Sequence, residues 1–399
     1  MIKICSILES IDIGKIFFMH HICKIIQKYL VVFCVLFLIS SSAQSANYQI
    51  NQIASGLGVP WGMTFHSENE ILFTERQGRL GIINLENGKV VYLSGLPKIL
   101  AKGQGGLMDV VKAPARSNNK WTYFTYVKPI DDKGNGETTL ARANISSEGV
   151  LDWQDLIVTH SLFGGVIFDV FGVAWGSDRH FGSRIAFDDN YLYFSIGDRG
   201  NRPNGQNLET HAGSILRLNF DGSIPPDNPF IKDDSAKNEI WSYGHRNPQG
   251  LVWDSINQKL WSIEHGPRGG DELNLIKKGN NYGWPVISYG KEYASFSDVG
   301  EGTHKEGMEQ PIKFYIPSIA PGSLMQYSGE AFPEWRGDLF AGALALRHLN
   351  RIELNDEGEV VAEERLLDNL DERIRALLQS PEGWIYFSTD SGNIYVIKP

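Results

Sequence analysis

Cysteine is nearly missing from this chain. Its three cysteines, Cys5, Cys23 and Cys34, all lie within the first 46 of 399 residues. Residues 47–399 therefore carry no disulfide and no thiolate metal site, and no His/Cys zinc spacing occurs in them. A protein exported without disulfides must take its stability from a packed core, and this length is ample for a large one.

Long hydrophobic runs are missing too, except in the first 46 residues, here called the leader. The stretch "KIIQKYLVVFCVLFLISSSAQSA" joins two lysines, an unbroken apolar run from Tyr29 to Ile39 and a series of small residues. This layout predicts a secretory signal peptide over residues 1–46, cleaved after Ala43, Ser45 or Ala46, with Met19 as an alternative start. The apolar run is too short to span a bilayer comfortably.

Basic charge is scarce in the remaining chain. Without the four lysines and two acidic residues of the leader, 33 Lys and Arg face 45 Asp and Glu, a net charge of −12. An acidic surface argues against nucleic acid and against anionic membranes as partners. We expect a periplasmic or secreted protein that is not inserted in a membrane after processing and is a monomer or homodimer.

Several catalytic motifs are absent. The chain has no Walker-type phosphate loop and no G-x-S-x-G nucleophile elbow. The stretch "GDRGNR" follows a strand-like run but precedes no helix, which argues against a nicotinamide nucleotide. Sustained 3.6-residue periodicity is also nearly absent, whereas short alternating or apolar runs are frequent, so the chain is predicted to be all-β.

One pattern recurs six times: a strand, a turn rich in Asp, Asn or Gly, and an aromatic-rich strand. It appears as "WGMTFHSENEILFTER", "GLMDVVKAPARSNNKWTYFTYV", "SRIAFDDNYLYFSIGD", "GLVWDSINQKLWSIEH", "SLMQYSGEAFPEWRGDLFAGAL" and "IRALLQSPEGWIYFSTDS". Six such units predict a six-bladed β-propeller of four-stranded blades over residues 47–399. The run "YQINQIA" at 48–54 is expected to pair with the C-terminal "NIYVIKP" and close the ring. A β-sandwich is the competing fold.

Polar residues occur at or just before the first strand of five units. They are Gln104, His180, Arg246 with Asn247, Ser318, and Arg373 with Arg375. Equivalent positions of a propeller converge on one end of the channel, so we expect these side chains to meet. Each has a simpler explanation by itself, and the last two arginines could form a solvated edge paired with Asp371 or Glu372. Together, however, three arginines and a histidine favour a multiply carboxylated ligand.

The stretch "WSIEHGPRGGDELNLI" is longer than a plain hairpin needs. We expect strands over 261–264 and 273–276, with a rigid turn at Gly266 and Pro267 between them. Two consecutive backbone carbonyls at such a turn are hard oxygen ligands that suit Ca²⁺. The acidic pair Asp271 and Glu272 is expected to brace the loop rather than to bind metal.

At these residues the sequence resembles the soluble quinoprotein sugar dehydrogenases, which depend on pyrroloquinoline quinone (PQQ). The resemblance runs from about Gly56 to the C-terminus. It is densest in "GDRGNR", "GSILRLNFDGSIPPDNPF", "GHRNPQGLVW", "EHGPRGGDELNLIKKGNNYGWP" and "FPEWRGDLFAGAL". Because several blocks occur in the same order, the resemblance is specific.

The resemblance implies a role for each candidate. His180 is similar to the general base for the anomeric hydroxyl of the sugar, and Arg246 to the arginine beside the reactive quinone oxygens. Asn247, Arg373 and Arg375 match cofactor contacts, as does Ser318 at the position of a threonine. Gly266 and Pro267 match the carbonyl ligands of Ca²⁺, and Gln104 matches a polar residue on the substrate side.

Three positions depart from the glucose-specific branch. Ala345 stands where that branch has a cofactor-contacting lysine, Arg179 stands where a carboxylate precedes the histidine, and Ser318 replaces the threonine. These changes favour the broader aldose branch. The implied activity is oxidation of an aldose to a lactone, with hydride passing to PQQ and electrons to an external acceptor. A Ca²⁺-dependent, lactonase-like hydrolase and a non-catalytic binding propeller are the alternatives.

Overall fold

Antiparallel four-stranded sheets account for nearly all the regular structure. The computed structural model describes residues 47–114, 120–161, 167–168, 174–175 and 178–399, so the signal peptide predicted for residues 1–46 lies outside the described residues. Within these ranges no α-helix occurs, and the short 3-10 helices are Arg202–Gln206, Pro333–Trp335 and Asp368–Leu370. No helix there has the length and apolar character needed to cross a membrane.

The strands follow one another blade by blade. The first strand of the chain, β1 (Gln49–Ala54), joins the last blade. Each blade is given from the channel outward. The first blade contains β2 (Pro60–Ser67), β3 (Glu70–Glu75), β4 (Arg79–Asn84) and β5 (Val90–Tyr92), and the second contains β6 (Leu107–Lys112), β7 (Thr122–Pro129), β8 (Gly136–Ile145) and β9 (Leu151–Val158). After the two-residue strands β10 (Ile167–Phe168) and β11 (Ala174–Trp175), the third blade contains β12 (Ile185–Phe187), β13 (Leu192–Ile196), β14 (Ser214–Leu218) and β15 (Ile240–Tyr243).

The last three blades repeat this order. The fourth blade contains β16 (Pro248–Asp254), β17 (Lys259–Glu264), β18 (Asp271–Ile276) and β19 (Lys313–Tyr315). The fifth contains β20 (Pro321–Gln326), β21 (Leu339–Ala343), β22 (Leu349–Leu354) and β23 (Val360–Leu366). The sixth contains β24 (Ile374–Gln379), β25 (Ile385–Thr389) and β26 (Ile394–Lys398), with β1 outermost. All six units read from the sequence correspond to the first two strands of a blade.

The first strands form a closed ring. Contacts run from β2 to β6, β12, β16, β20 and β24 in turn, and from β24 back to β2. The hydrophobic core lies between neighbouring blades: one cluster joins Leu72 of the first blade to Phe124 of the second, and another joins Ile263 of the fourth to Leu324 of the fifth. The predicted six-bladed β-propeller is therefore confirmed.

A buried aromatic followed by Ser or Thr recurs on the second strand of five blades. The pairs are Phe73–Thr74, Phe124–Thr125, Phe194–Ser195, Trp261–Ser262 and Phe387–Ser388. The aromatic ring fills the core between blades, and several of the hydroxyls cross to the next first strand. Thr125 donates to the carbonyl of Ser183 at 2.7 Å. Ser195 donates to that of Pro248 at 3.1 Å, so the recurring pattern also joins the blades through polar contacts.

Bulges interrupt five of the six first strands near their beginning. The register shifts lie between Pro60 and Gly62, Leu107 and Val110, Pro248 and Gly250, Pro321 and Ser323, and Ile374 and Ala376. A bulge leaves one residue outside the ladder and redirects its side chain and carbonyl. These freed groups all lie at one end of the channel.

The ring closes where β1 pairs with β26, from Gln49 opposite Lys398 to Ala54 opposite Ile394. We predict that a chain beginning at Ser55 is less stable, because five residue pairs are lost and β26 becomes an exposed edge. At about 0.5–1.5 kcal/mol per hydrogen bond the loss is on the order of 3 kcal/mol. Urea unfolding of both proteins measures it, and equal midpoints would contradict a closing role for β1.

Candidate active site

All nine residues predicted for the site lie at one end of the ring. Residues that begin a first strand and residues that follow a second strand share an end, because neighbouring strands are antiparallel. Direct contacts link several of them. The side-chain oxygen of Gln104 accepts from the backbone N–H of His180 at 2.8 Å, and that of Asn247 accepts from Gly182 N–H at 3.2 Å. The structure thus brings residues from different blades together.

His180 is held in one orientation by a carboxylate. Its Nδ1 lies 2.6 Å from Oδ1 of Asp198, and its side chain is only 12% exposed. Burial lowers the pKa of His180, and the nearby Arg246 and Arg179 lower it further, although Asp198 opposes them. Since an ionised carboxylate can only accept, the imidazole proton lies on Nδ1 and leaves Nε2 as a base.

Asp198 is a functional residue that the sequence interpretation missed. Burial raises its pKa, but His180, Arg246 and the N–H of Gly200 outweigh burial and hold that pKa below the usual range. Its other oxygen accepts from the indole N–H of Trp284 at 2.7 Å. Arg179 stands where the glucose-specific branch has a carboxylate directly before the histidine. The carboxylate that binds His180 in this chain comes from the "SIGDRG" stretch, just after the second strand of the same blade.

Arg246 lies between the fourth blade and the channel. Its Nη1 donates to the carbonyl of His265 at 2.9 Å, and Nη2 lies 3.4 Å from the hydroxyl of Tyr293. Its backbone N–H donates to the buried carboxylate of Glu264 at 2.6 Å. In the described part of the chain no carboxylate forms an ion pair with its guanidinium, so its charge is available to a bound ligand.

Arg373 and Arg375 are not paired with Asp371 or Glu372, so the pairing considered for a solvated edge is wrong. Both form ion pairs with Asp390, whose carboxylate oxygens lie 2.8 Å from Arg373 Nε and 2.7 Å from Arg375 Nε. Asp390 follows the second strand of the same blade, whereas Asp371 pairs with Arg347. The side chain of Arg375 is 8% exposed against 45% for Arg373, so the two differ in burial.

A third arginine near this pair was also missed. Arg76 follows β3 of the first blade and is half-buried. Burial lowers its pKa, and the charges of Arg375 and Arg373 lower it further against the opposing effect of Asp390. Asp390 binds two of these guanidinium groups directly and offsets part of the repulsion that they exert on the third, Arg76.

The Gly266–Pro267 turn is braced from inside the fold. The loop covers residues 265–270, because β18 already begins at Asp271. One oxygen of Asp271 accepts from Gly266 N–H at 3.0 Å, and the other accepts from the Ser318 hydroxyl at 2.7 Å. Asp271 therefore braces the loop as expected. The hydroxyl proton of Ser318 is already used, which leaves its oxygen only as an acceptor.

Glu272 is partly buried beside other acidic groups. Burial raises its pKa well above the usual range, and repulsion from Glu264 and Asp271 adds to the effect. Its carboxylate accepts a long hydrogen bond of 3.4 Å from the amide of Asn274. Burial and the neighbouring carboxylates therefore both oppose the ionisation of Glu272.

His265, beside the same turn, is a further residue that the sequence interpretation missed. Its Nε2 donates to the carbonyl of Pro321 at 2.6 Å. Burial lowers the pKa of His265 to about 3, and the charges of Arg246 and Arg375 contribute to this shift. The imidazole is therefore uncharged at neutral pH and adds no positive charge to the arginine-rich end of the channel.

Ala345 lies exposed at this end of the fifth blade. It provides no charge where the glucose-specific branch has lysine. The neighbouring carbonyl of Leu344 accepts from Nη1 of Arg373 at 2.9 Å, so a cationic group from the sixth blade reaches the same region.

Comparison with known proteins finds similar sequences and a similar solved structure. The chain is 34% identical to aldose sugar dehydrogenase YliI of Escherichia coli over 90% of this chain and 94% of that protein. It is 28% identical to quinoprotein glucose dehydrogenase B of Acinetobacter calcoaceticus, covering 89% and 88% of the two chains. A crystal structure of the soluble aldose sugar dehydrogenase of E. coli in its apo form matches with a TM-score of 0.81 and 33% identity, over 88% of this chain and all of that one.

The family model described as glucose/sorbosone dehydrogenase matches residues 57–397, the same region in which the sequence resemblance was found. The resemblance is thereby confirmed at the level of sequence and of fold. With a family model spanning almost the whole propeller and relatives of this identity and coverage, the chain belongs to the glucose/sorbosone dehydrogenase family.

Proposed function

We propose that the chain is an exported quinoprotein that oxidises the anomeric carbon of an aldose to a lactone, using PQQ and Ca²⁺ and passing electrons to an external acceptor. The observation that carries this proposal is the His180–Asp198 pair, which presents a neutral Nε2 base at the arginine-rich end of the channel. The relatives are aldose sugar and glucose dehydrogenases, which supports oxidation of a sugar.

The arginine cluster fits a multiply carboxylated cofactor. Arg373 and Arg375 both bind Asp390, and their charges lower the pKa of the nearby Arg76, so an anion bound there would relieve repulsion among the three. Arg373 and Arg375 would hold carboxylates through charge-assisted hydrogen bonds. Arg246 and Asn247 would contact the same molecule from the fourth blade, and Ser318 could contribute only as an acceptor.

The Gly266–Pro267 turn fits a calcium ion shared with the cofactor. The carbonyl of Pro267 accepts one hydrogen bond, from Lys291 N–H at 3.1 Å, and a carbonyl oxygen has a second lone pair. No group of three His, Cys, Asp or Glu residues that could hold a metal occurs within the described ranges. The carbonyls of Gly266 and Pro267 are therefore the groups that would hold a calcium ion, whose positive charge would polarise a neighbouring ligand.

The protein's own groups have distinct tasks in this reaction. The quinone, when bound, supplies the acceptor for the hydride that leaves the anomeric carbon. His180 Nε2 takes the proton of the anomeric hydroxyl, and Asp198 stabilises the imidazolium that results. Arg246 places positive charge where negative charge develops. Gln104, whose oxygen is committed to His180 N–H, would offer its amide N–H groups to the sugar.

This chemistry explains the site better than the alternatives. A lactonase-like site would place carboxylates around a central calcium, whereas Asp198 and Asp390 are here bound to His180 and to the arginine pair. A binding propeller would have no need of a histidine whose tautomer is set by a buried carboxylate. The proposed export is supported by the signal peptide that the sequence predicts for residues 1–46.

Reconstitution tests the cofactors. Purified protein from a host that makes no PQQ should be inactive in a dye-linked aldose oxidation assay and should gain activity when PQQ and Ca²⁺ are added together. Addition of a chelator before PQQ should prevent the gain. Activity that needs no quinone and survives chelation would remove the basis for this proposal.

The base is tested by His180→Gln and Asp198→Asn. Because burial holds the pKa of His180 below its ordinary value, wild-type turnover should rise with pH in a range below that of an ordinary histidine. The asparagine amide can donate to Nδ1 and move the proton to Nε2, so both variants should lose roughly 10²–10⁴-fold in turnover. PQQ affinity, measured by titration, should remain unchanged. Near wild-type turnover in either variant would show a purely structural histidine.

The arginine cluster is tested by Arg375→Ala and Arg373→Ala. Loss of a charge-assisted contact costs about 1.5–3 kcal/mol, so the PQQ dissociation constant should rise roughly tenfold or more. The effect should be larger for the buried Arg375. Arg347→Ala is a matched control, because this arginine pairs with Asp371 outside the cluster. If all three variants bind PQQ as the wild type does, the cluster does not hold the cofactor.

A further inference from the structure

One buried arginine lies at the centre of the channel. Arg184, just before β12, is 6% exposed, and all five of its N–H groups have acceptors. Nε donates to the carbonyl of Gln249 at 2.9 Å. Nη1 donates to the carbonyl of Trp61 and to Oδ1 of Asp109, both at 3.1 Å. Nη2 donates to the carbonyls of Gly322 at 2.5 Å and Arg375 at 2.7 Å.

The five acceptors come from the five other blades. Trp61 belongs to the first blade, Asp109 to the second, Gln249 to the fourth, Gly322 to the fifth and Arg375 to the sixth. Each lies within the bulge of its first strand. Because a bulged residue leaves the ladder, its carbonyl or side chain is free to point into the channel. The guanidinium of Arg184 binds the five acceptor groups that do so.

The charge of Arg184 is only partly balanced. Asp109 is its one carboxylate partner among the residues that the structure describes, and burial raises the pKa of that carboxyl. The guanidinium also lies over the ring of Trp61, 3.9 Å from the ring centroid. Carbonyl dipoles and an aromatic face supply the remaining stabilisation. No other residue type offers five donors in one rigid fork.

Two of these contacts reach the candidate active site. Arg375 accepts a hydrogen bond from Arg184 through its backbone carbonyl, and its guanidinium forms an ion pair with Asp390. Gln249, held through its own carbonyl, donates from its amide to Gly182 O at 2.9 Å and lies two residues after Asn247. The backbone from which the anion-binding side chains extend is therefore set by the position of Arg184.

We propose that Arg184 is a positioning residue for the cofactor site, which fixes the first strands so that Arg375 and the Asn247–Gln249 segment face the bound anion at the required spacing. This inference rests on the proposed function for the identity of the anion. The Arg184 contacts themselves do not depend on it, so the two can fail separately.

The test uses Arg184→Lys, which keeps the charge but loses the fork, on the full-length protein. The matched control is Arg217→Lys. Arg217 is also buried, binds Asn228 at 2.7 Å and stacks on Tyr191 and Trp241, but it lies on the third blade away from the channel. Isothermal titration of the apoprotein with PQQ, thermal unfolding and hydrogen–deuterium exchange are measured for both.

Both variants should lower the melting temperature. Only Arg184→Lys should raise the PQQ dissociation constant by roughly tenfold or more, with KM for the sugar nearly unchanged at saturating PQQ. It should also speed exchange around residues 247–250, 320–323 and 373–376, while Arg217→Lys should do so only within the third blade. If Arg184→Lys proves too unstable, Asp109→Asn removes the one ionic partner and should show the same pattern more weakly.

Two results would overturn the inference: a PQQ affinity in Arg184→Lys no weaker than in Arg217→Lys, or unchanged exchange at 373–376. If the wild type binds no PQQ at all, the proposed function fails instead. The exchange data then decide separately whether Arg184 sets the position of the Arg375 strand.

Discussion

A guanidinium withdrawn from water holds the inner ends of the six blades together. Arg184 can be buried because each of its N–H groups meets an acceptor, and those acceptors exist because the first strands bulge where they meet the channel. An unpaired buried charge is strongly unfavourable, so the acceptors of all five other blades must reach the Arg184 guanidinium in the closed ring. The diameter of the channel and the start of each first strand are thereby coupled.

The candidate site inherits its geometry from this constraint. Most of its functional side chains lie within a few residues of a bulge or just beyond a second strand, whereas His180 lies before β12, whose pairing with β13 has no bulge. Arg375 shows the coupling directly, because its carbonyl binds Arg184 and its side chain binds Asp390. The site is therefore assembled largely at strand ends, which favours precise placement of reacting groups.

Charge at this end of the molecule is arranged in local groups. Asp198 orients His180, Asp390 joins Arg373 to Arg375, and Glu264 receives the backbone of Arg246. These carboxylates hold the cationic side chains in place without neutralising all of them. His180 itself adopts a positive φ of 53°, a conformation that few non-glycine residues take without support from their surroundings. The hydrogen bonds from its N–H and its ring supply that support.

The sequence by itself determined the fold class, the six units and the closing pair of terminal strands, because alternation and turn residues act locally and repeat. It also identified the end of the channel where Gln104, His180, Arg246 and Arg375 meet, since equivalent positions of a repeat share one place in the ring. Only the tertiary structure decided that Asp198 serves His180, that Asp390 replaces Asp371 as the arginine partner, and that Arg184 occupies the centre. These contacts join residues far apart in the chain or in different blades, and no periodicity specifies which side chain faces which across a closed ring.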